Sequence, residues 1–364
     1  MRLPQILFEL NTAALALNNY IESHVSAAIR QPILLISDPK LVGIYTPLME
    51  SIEQSQKMHC LTAFIEREPD VEMIQNVHRF IARNNNPIVI GIGGGSVMDT
   101  VKLAAALSSS AYTVEEFLEN PQLHLKRENN VILVPTLIGT GAELSSGVSL
   151  RFPSGKKSAI AHPSLLADLV ILDASLCAKA PRAIAFASAA DAFSHALESF
   201  VSVRATVWSR RTARCAMERI IESLALIHDN QESHAGWEDL IIATMEATVS
   251  LSSAGGGVGH ALAYTISDHV DLSHGNILAR LLPRLIHYYV DSGLVESNLA
   301  RLLTSDSILM SFCRGLPQFP ICSDKVDPIC ADAMRNTRLM ANHPIGISIQ
   351  QLRNLVLPDN TLAL

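Results

Sequence analysis

Residues 87–102 read Pro87-Ile-Val-Ile-Gly-Ile-Gly-Gly-Gly-Ser-Val-Met-Asp-Thr-Val-Lys102, and this stretch decides the fold of the first half of the chain. The apolar run 88–90 has the composition of a buried strand. The glycines that follow make a tight turn, and from Ser96 onward Val97, Val101, Leu103 and Ala104 recur as the apolar positions of a helix. Strand, glycine turn and helix N-terminus together form an anion cradle. Backbone N–H groups at Gly94, Gly95 and Ser96 can approach a phosphate because little or no side chain intervenes, and the helix dipole favours negative charge there. Ser96 stands where the dinucleotide fingerprint Gly-x-Gly-x-x-Gly requires its last glycine, so that fingerprint is not met. A glycine turn that merely lets strand meet helix has the same composition.

Working outward, residues 131–143 repeat the pattern: Val131-Ile-Leu-Val-Pro-Thr-Leu-Ile-Gly-Thr-Gly-Ala-Glu143 runs from an apolar strand into small and hydroxyl residues. Val148-Ser-Leu-Arg-Phe, a turn at Pro153-Ser154-Gly155 and Lys157-Ser-Ala-Ile then read as a hairpin. Thr136, Thr140 and Gly141 can donate hydroxyl or amide hydrogen bonds to a nucleotide, and Lys157 can approach its ribose or nicotinamide end. Ordinary loops also use Thr and Gly, and most lysines face water. With further β-branched runs at 33–36 and 169–172 separated by helical stretches, the first half has the pattern of a parallel α/β sheet. The earliest strand is expected near Ile33. Beyond Asp173 strands disappear, and 183–201, 209–227, 237–252 and 277–289 have helical period, with Gly255-Gly256-Gly257 breaking the chain before His260. The expected architecture is therefore a Rossmann-like α/β domain over residues 1–175 followed by an all-α domain over 176–364, with the active site in the cleft between them.

The helical half carries a second signal. In Ala189-Ala-Asp-Ala-Phe-Ser-His-Ala-Leu-Glu198, Asp191 and His195 lie four apart on one helix face, so a carboxylate and an imidazole point at one spot. His260, opening His-Ala-Leu-Ala-Tyr, and His274, in Leu-Ser-His-Gly, offer two more imidazoles if the helices pack these segments together. Three nitrogens and one oxygen suit Zn²⁺ or Fe²⁺, not Ca²⁺ or Mg²⁺. Singly, each of these histidines has a core or surface reading. His24, His59, His78, His124, His162 and His234 lack such partners, and most of them read as solvated.

The ordered set Gly-Gly-Gly-Ser-x-x-Asp-x-x-Lys, Pro-Thr-x-x-Gly-Thr-Gly-x-Glu, Asp-Ala-x-x-His-Ala-x-Glu and His-Ala-x-Ala followed by His-Gly resembles the iron-containing alcohol dehydrogenase family, over nearly the whole chain. The resemblance implies a metal-dependent, NAD(P)-linked alcohol dehydrogenase or aldehyde reductase. Asp191, His195, His260 and His274 match the four metal ligands of that family, for Fe²⁺ or Zn²⁺. Gly93, Gly94, Gly95, Ser96 and Asp99 match its pyrophosphate loop, with Thr136, Thr140 and Lys157 lining the rest of the dinucleotide site. Asp38 matches the position of an acidic residue that binds the adenosine ribose in members preferring NAD(H) over NADP(H), since a carboxylate accepts from two ribose hydroxyls and repels a 2′-phosphate. An Asp-Pro turn is the plain alternative for Asp38.

The chain departs from the family at three places. Tyr264 stands where many members have a histidine of the proton relay, and either its hydroxyl or water could take over that role. Ser273 replaces a usual proline, and the segment Phe8-Glu-Leu-Asn-Thr lacks a glycine-rich turn. Members act on lactaldehyde, butanol, glycerol, 1,3-propanediol and other small alcohols or aldehydes. The substrate pocket is expected around Phe186, 249–253 and 264–269. Two other classes share some of these features: a dehydroquinate-synthase-like or sugar-phosphate lyase using metal and NAD, and a non-catalytic nucleotide- or metal-binding protein.

Bulk properties narrow the partners. The 364 residues, 48% hydrophobic, suffice for two domains with a large core. A net charge of −7 argues against nucleic acid as the main partner. Six scattered cysteines without Cys-x-x-Cys spacing suit reduced thiols in a cytoplasmic protein. Pro4 and Glu9 break the N-terminal apolar run, so neither a signal peptide nor a membrane helix is expected. A homodimer or higher homo-oligomer is the expected assembly.

Overall fold

The computed structural model describes residues 3–9, 11–24, 31–56 and 60–357. In its first half the order is β1 (Gln5–Glu9), α1 (Ala13–His24), β2 (Ile33–Ser37), α2 (Val42–Gln56), β3 (Cys60–Phe64), α3 (Val71–Ala82), β4 (Ile88–Gly93), α4 (Gly95–Ser108), α5 (Val114–Glu119), β5 (Asn130–Pro135), β6 (Gly147–Arg151), β7 (Lys157–Ala161) and β8 (Leu169–Asp173). Helices follow: α6 (Ala174–Cys177), α7 (Arg182–Val201), α8 (Val207–Asp229), α9 (His234–Ala254), α10 (Val258–Ile266), α11 (His274–Asp291), α12 (Ser297–Leu303), α13 (Ile308–Gly315), α14 (Ser323–Arg335), α15 (Thr337–Met340) and α16 (Ile349–Val356).

Six strands form one parallel sheet in the order β1-β8-β5-β4-β2-β3, and β6 pairs antiparallel with β7 as the expected hairpin. The inner strands β2, β4 and β8 are buried along their whole length and β5 nearly so, as expected of parallel strands covered on both faces. Their apolar runs are what the sequence displays. The earliest strand is not near Ile33, however. Gln5–Glu9 forms β1 at one edge of the sheet, in register Gln5 to Leu169, and Cys60–Phe64 forms β3 at the other. Both edge strands leave large side chains in solvent, among them Phe8, Leu61 and Phe64, so neither has the buried-strand pattern.

Two compact units result. One comprises the chain up to Leu137 together with Gly141–Ala180; the other takes Ile138–Thr140 and the described chain from Pro181 onward. In the helical unit α7 is buried from Ala185 to Val201, on every face, which accounts for its run of alanines. Among the described residues no helix is long and apolar enough to cross a membrane. All six cysteines are free thiols.

Candidate metal and dinucleotide sites

Parallel pairing places the nucleotide candidates of the sheet unit at the carboxyl ends of adjacent strands. Gly93 ends β4, Gly94 is the N-cap of α4, and Gly95 and Ser96 open that helix with no side chain capping its amides. These first N–H groups are the free donors an anion needs. Gly93 is required for packing, since a Cβ there would lie 2.6 Å from Val97 Cγ2. On one side β2 pairs Ser37 with Ile92, so Asp38 follows at the edge beside Gly93. Its carboxylate accepts from Lys40 N at 2.8 Å as the cap of a short turn. On the other side Thr136 follows β5, buried, with its N–H donating to Gly93 O at 2.9 Å.

Three further candidates sit differently. Thr140 is exposed and belongs to the helical unit, where neighbouring Gly139 has φ 152° and approaches Ser188 so closely that a Cβ would meet its carbonyl oxygen at 2.1 Å. Lys157 on β7 pairs with Glu68, Nζ to Oε1 at 2.6 Å. Asp99 is buried on α4, 3.0 Å from Lys102 Nζ, and accepts from Ser149 N at 2.9 Å.

In the helical unit Asp191, His195 and His260 converge. Asp191 Oδ1 lies 3.4 Å from His195 Nε2 and 3.5 Å from His260 Nε2, and one ligand atom from each residue falls within 4.8 Å of the others. The two imidazoles stack at 4.6 Å between centroids, 15° from parallel. All three residues are at most 5% exposed. His274 is the first residue of α11, half-buried, with its ring 5.6 Å from that of His260. Close approach at this end of α11 depends on Gly275, where a Cβ would be 2.6 Å from Ala187 O on α7. Ser273 replaces the usual proline with a helix cap, its hydroxyl accepting from Asn276 N. Tyr264, one turn after His260 on α10, lies 5.3 Å from the His274 ring, centroid to centroid.

These residues fit a divalent cation. Asp191 Oδ1 and His260 Nε2 are buried and face each other at 3.5 Å without a hydrogen-bond partner, an arrangement costly unless a cation, whether a proton or a metal ion, lies between them. Burial works to raise the Asp191 carboxyl, but the charges of His195, His274 and His260, with a favourable contact to His260, hold it well below the usual carboxylate range. Burial pushes the His195 imidazole down to about 4, against the pull of Asp191. Burial also opposes a charge on His260, yet Glu198 and Asp191 flank that ring and raise it to about 10.

Glu198 is the residue that the motifs quoted above contained without a role. Its Oε2 lies 2.5 Å from His260 Nδ1 and accepts from Gly257 N at 2.8 Å, while its Oε1 accepts from Gly259 N and, at 3.4 Å, from the Tyr289 hydroxyl. A buried carboxylate thus caps the N-terminus of α10 and holds the proton of His260 on Nδ1, leaving Nε2 as the ligand atom. Gly259 permits this, since a Cβ there would lie 2.9 Å from Glu198 Oε1. The signal was present in the spacing: Asp191, His195 and Glu198 are i, i+4 and i+7 on one face of α7. Of the remaining histidines, His124 and His234 are exposed and His78 and His162 half-buried, while His59 and the side chain of His24 lie outside the described residues. His269 is exposed.

Comparison with known proteins agrees with this geometry. Residues 13–174 match the family described as iron-containing alcohol dehydrogenase, and residues 185–317 match the C-terminal domain of the Fe-containing alcohol dehydrogenase family. Long-chain-alcohol dehydrogenase 1 of Geobacillus thermodenitrificans is 28% identical over 88% of this chain and 87% of its own. Sulfoacetaldehyde reductase of Bilophila wadsworthia is 25% identical over 88% and 90%. Among solved structures, an alcohol dehydrogenase from Oenococcus oeni superposes with a TM-score of 0.84 at 19% identity, over 97% of this chain and 98% of that one. A sulfoacetaldehyde reductase from Bifidobacterium kashiwanohense in complex with NAD⁺ gives 0.82 at 17% identity, over 97% and 96%. The two family matches, in order along the chain, and relatives aligned over almost nine-tenths of it establish that the chain belongs to the iron-containing alcohol dehydrogenase family.

Proposed function

We propose that this protein is a metal-dependent, NAD(P)-linked oxidoreductase that interconverts a small alcohol and its aldehyde or ketone. The observation that carries the reading is the buried meeting of Asp191 Oδ1, His195 Nε2 and His260 Nε2, two of them without a partner. With His274 as the fourth ligand, this set would hold Fe²⁺ or Zn²⁺, which supplies Lewis-acid polarisation of the substrate oxygen. A nicotinamide dinucleotide supplies or accepts the hydride.

The residues of the chain do the rest. Gly94, Gly95 and Ser96 offer N–H groups to the pyrophosphate at the start of α4. Asp38, at the end of β2, accepts from the ribose hydroxyls and disfavours a 2′-phosphate, so NAD(H) is the preferred cofactor. Thr136 and Lys157, of the same unit, line the remainder of that site. Glu198 fixes the tautomer and ring plane of His260. Tyr264, beside His274, takes the position of the relay histidine, and its hydroxyl holds the proton that a carbonyl oxygen needs on reduction. A homodimer in the cytoplasm is the assembly and setting we favour, supported by the free thiols and by the prevalence of two-fold oligomers.

The test is oxidation of NADH and NADPH by protein loaded anaerobically with Fe²⁺ or Zn²⁺, against a panel of short aldehydes, with a chelated sample beside it. Metal-dependent turnover with NADH preferred is the expected result. Bound metal and cofactor without turnover on any aldehyde would overturn the reading in favour of a lyase or a non-catalytic binder.

A further inference from the structure

Lys102 is a fully buried charge of the sheet unit with no part in the site described above. Its side chain is fully buried on α4, and its ammonium meets Asp99 Oδ1 at 3.0 Å, Ala142 O at 2.7 Å, Ser145 O at 3.3 Å and the Gly147 carbonyl. Asp99, one turn earlier on the same helix, spends its other oxygen on Ser149 N at 2.9 Å. One ion pair thus grips four points of residues 142–149. That ribbon leads into the β6–β7 hairpin carrying Lys157, and the gripping helix opens with Gly94, Gly95 and Ser96. The rest of α4 from Val97 to Leu107 is buried and almost wholly apolar, so a methionine or leucine would suit position 102 for packing alone. A lysine there costs desolvation that only a complete set of acceptors offsets, and what the set adds is a fixed register between helix and ribbon.

We propose that Asp99 and Lys102 are positioning residues for the dinucleotide: a buried ion pair that locks the anion cradle of α4 to the 142–149 ribbon, so that both sides of the cofactor site are presented at fixed spacing. The proposal rests on the reading of Gly94–Ser96 as the pyrophosphate site. Asp99 then serves the cofactor through Lys102 and the Ser149 amide and not by touching it.

The experiment measures NADH affinity by the fluorescence of the bound nicotinamide, together with kcat, KM and metal content, on metal-loaded wild type, Lys102→Met, Asp99→Asn and Phe117→Leu. Phe117 is a fully buried core residue of the same unit, and its truncation controls for lost stability. Lys102→Met and Asp99→Asn are expected to weaken NADH about tenfold or more, as a loosened site does. Lys102→Met should keep kcat at saturating NADH within about twofold and leave metal content unchanged. Phe117→Leu should melt earlier yet bind NADH as wild type does. Unchanged NADH affinity in both ion-pair variants, or an equal loss in Phe117→Leu, would overturn the proposal. Should neither ion-pair variant fold, hydrogen exchange on wild type decides: NADH should slow exchange across 142–149, the Ser149 amide included, and slowing confined to 93–96 would contradict it. Failure of wild type to bind NADH at all is a different result, since it removes the cofactor reading itself.

Discussion

Replacing Glu198 by Gln removes a charge from the helical unit while preserving side-chain length and shape, and the structure sets the size of the effect. The carboxylate accepts from Gly257 N, Gly259 N, His260 Nδ1 and, at 3.4 Å, the Tyr289 hydroxyl, four donors converging on two oxygens in a fully buried position. An amide has one oxygen, so in either orientation its NH₂ group faces a donor. Turned one way, it opposes the Gly259 amide; turned the other, it opposes His260 Nδ1 and drives the imidazole proton towards Nε2, the atom needed for the metal. Each lost charge-assisted hydrogen bond is worth about 1.5–3 kcal/mol. At about 1.4 kcal/mol per factor of ten, metal affinity should fall roughly 10–100-fold, the usual scale for such supporting carboxylates. Competition with a chromophoric chelator reads that affinity directly, independent of turnover. A folded Glu198→Gln variant that held its metal within twofold of wild type would refute the claim that this carboxylate orients His260.

Three further outcomes follow from the same geometry. His260 is raised to about 10 by Glu198 and Asp191 despite its burial, so in metal-free protein at pH 7 it carries a proton that a metal must displace. Calorimetry in buffers of differing ionisation enthalpy should show about one proton released per metal bound, with affinity rising with pH; zero release would contradict this. Asp38→Asn keeps the acceptor for Lys40 N but drops the charge, and it should raise the ratio of NADPH to NADH kcat/KM by at least about tenfold; an unchanged ratio removes Asp38 from cofactor choice. Burial raises Glu143 from 4.5 to about 7, outweighing the attraction of Lys102. Between those values the folded state holds a proton that the unfolded state has released, so stability falls as pH rises from about 4.5 to 7, by up to about 3 kcal/mol. Urea melts at pH 5 and pH 8 should show this decline in wild type and a flatter profile in Glu143→Gln; parallel profiles would locate the pH dependence elsewhere.

How much of this was legible in the sequence depended on burial. The inner strands β2, β4, β5 and β8 announce themselves because both faces are covered and, apart from Ser37, Asn130 and Asp173 at strand ends, no residue is polar. The edge strands β1 and β3 do not, since half of each faces solvent and five residues give too little alternation to read. Asp191 and His195 were readable because a single helix sets their spacing. His260 and His274 came from other helices, and nothing local in the sequence shows that α10 and α11 bring them beside α7. The structure does so through Gly259 and Gly275, whose missing side chains allow the close approaches to Glu198 and Ala187. Glu198 was readable as a position, in register with Asp191 and His195 on the α7 face, but its partners, the His260 ring and two backbone amides of another helix, were not. The same holds for Lys102, whose acceptors are all carbonyls of the ribbon apart from Asp99.

The most direct test of the central claim compares wild type with His260→Ala for metal stoichiometry and for NADH-dependent aldehyde reduction in the same preparation. The expected result is that the variant loses its metal and turns over no faster than chelated wild type. Undiminished turnover in a variant that has lost its metal would contradict it.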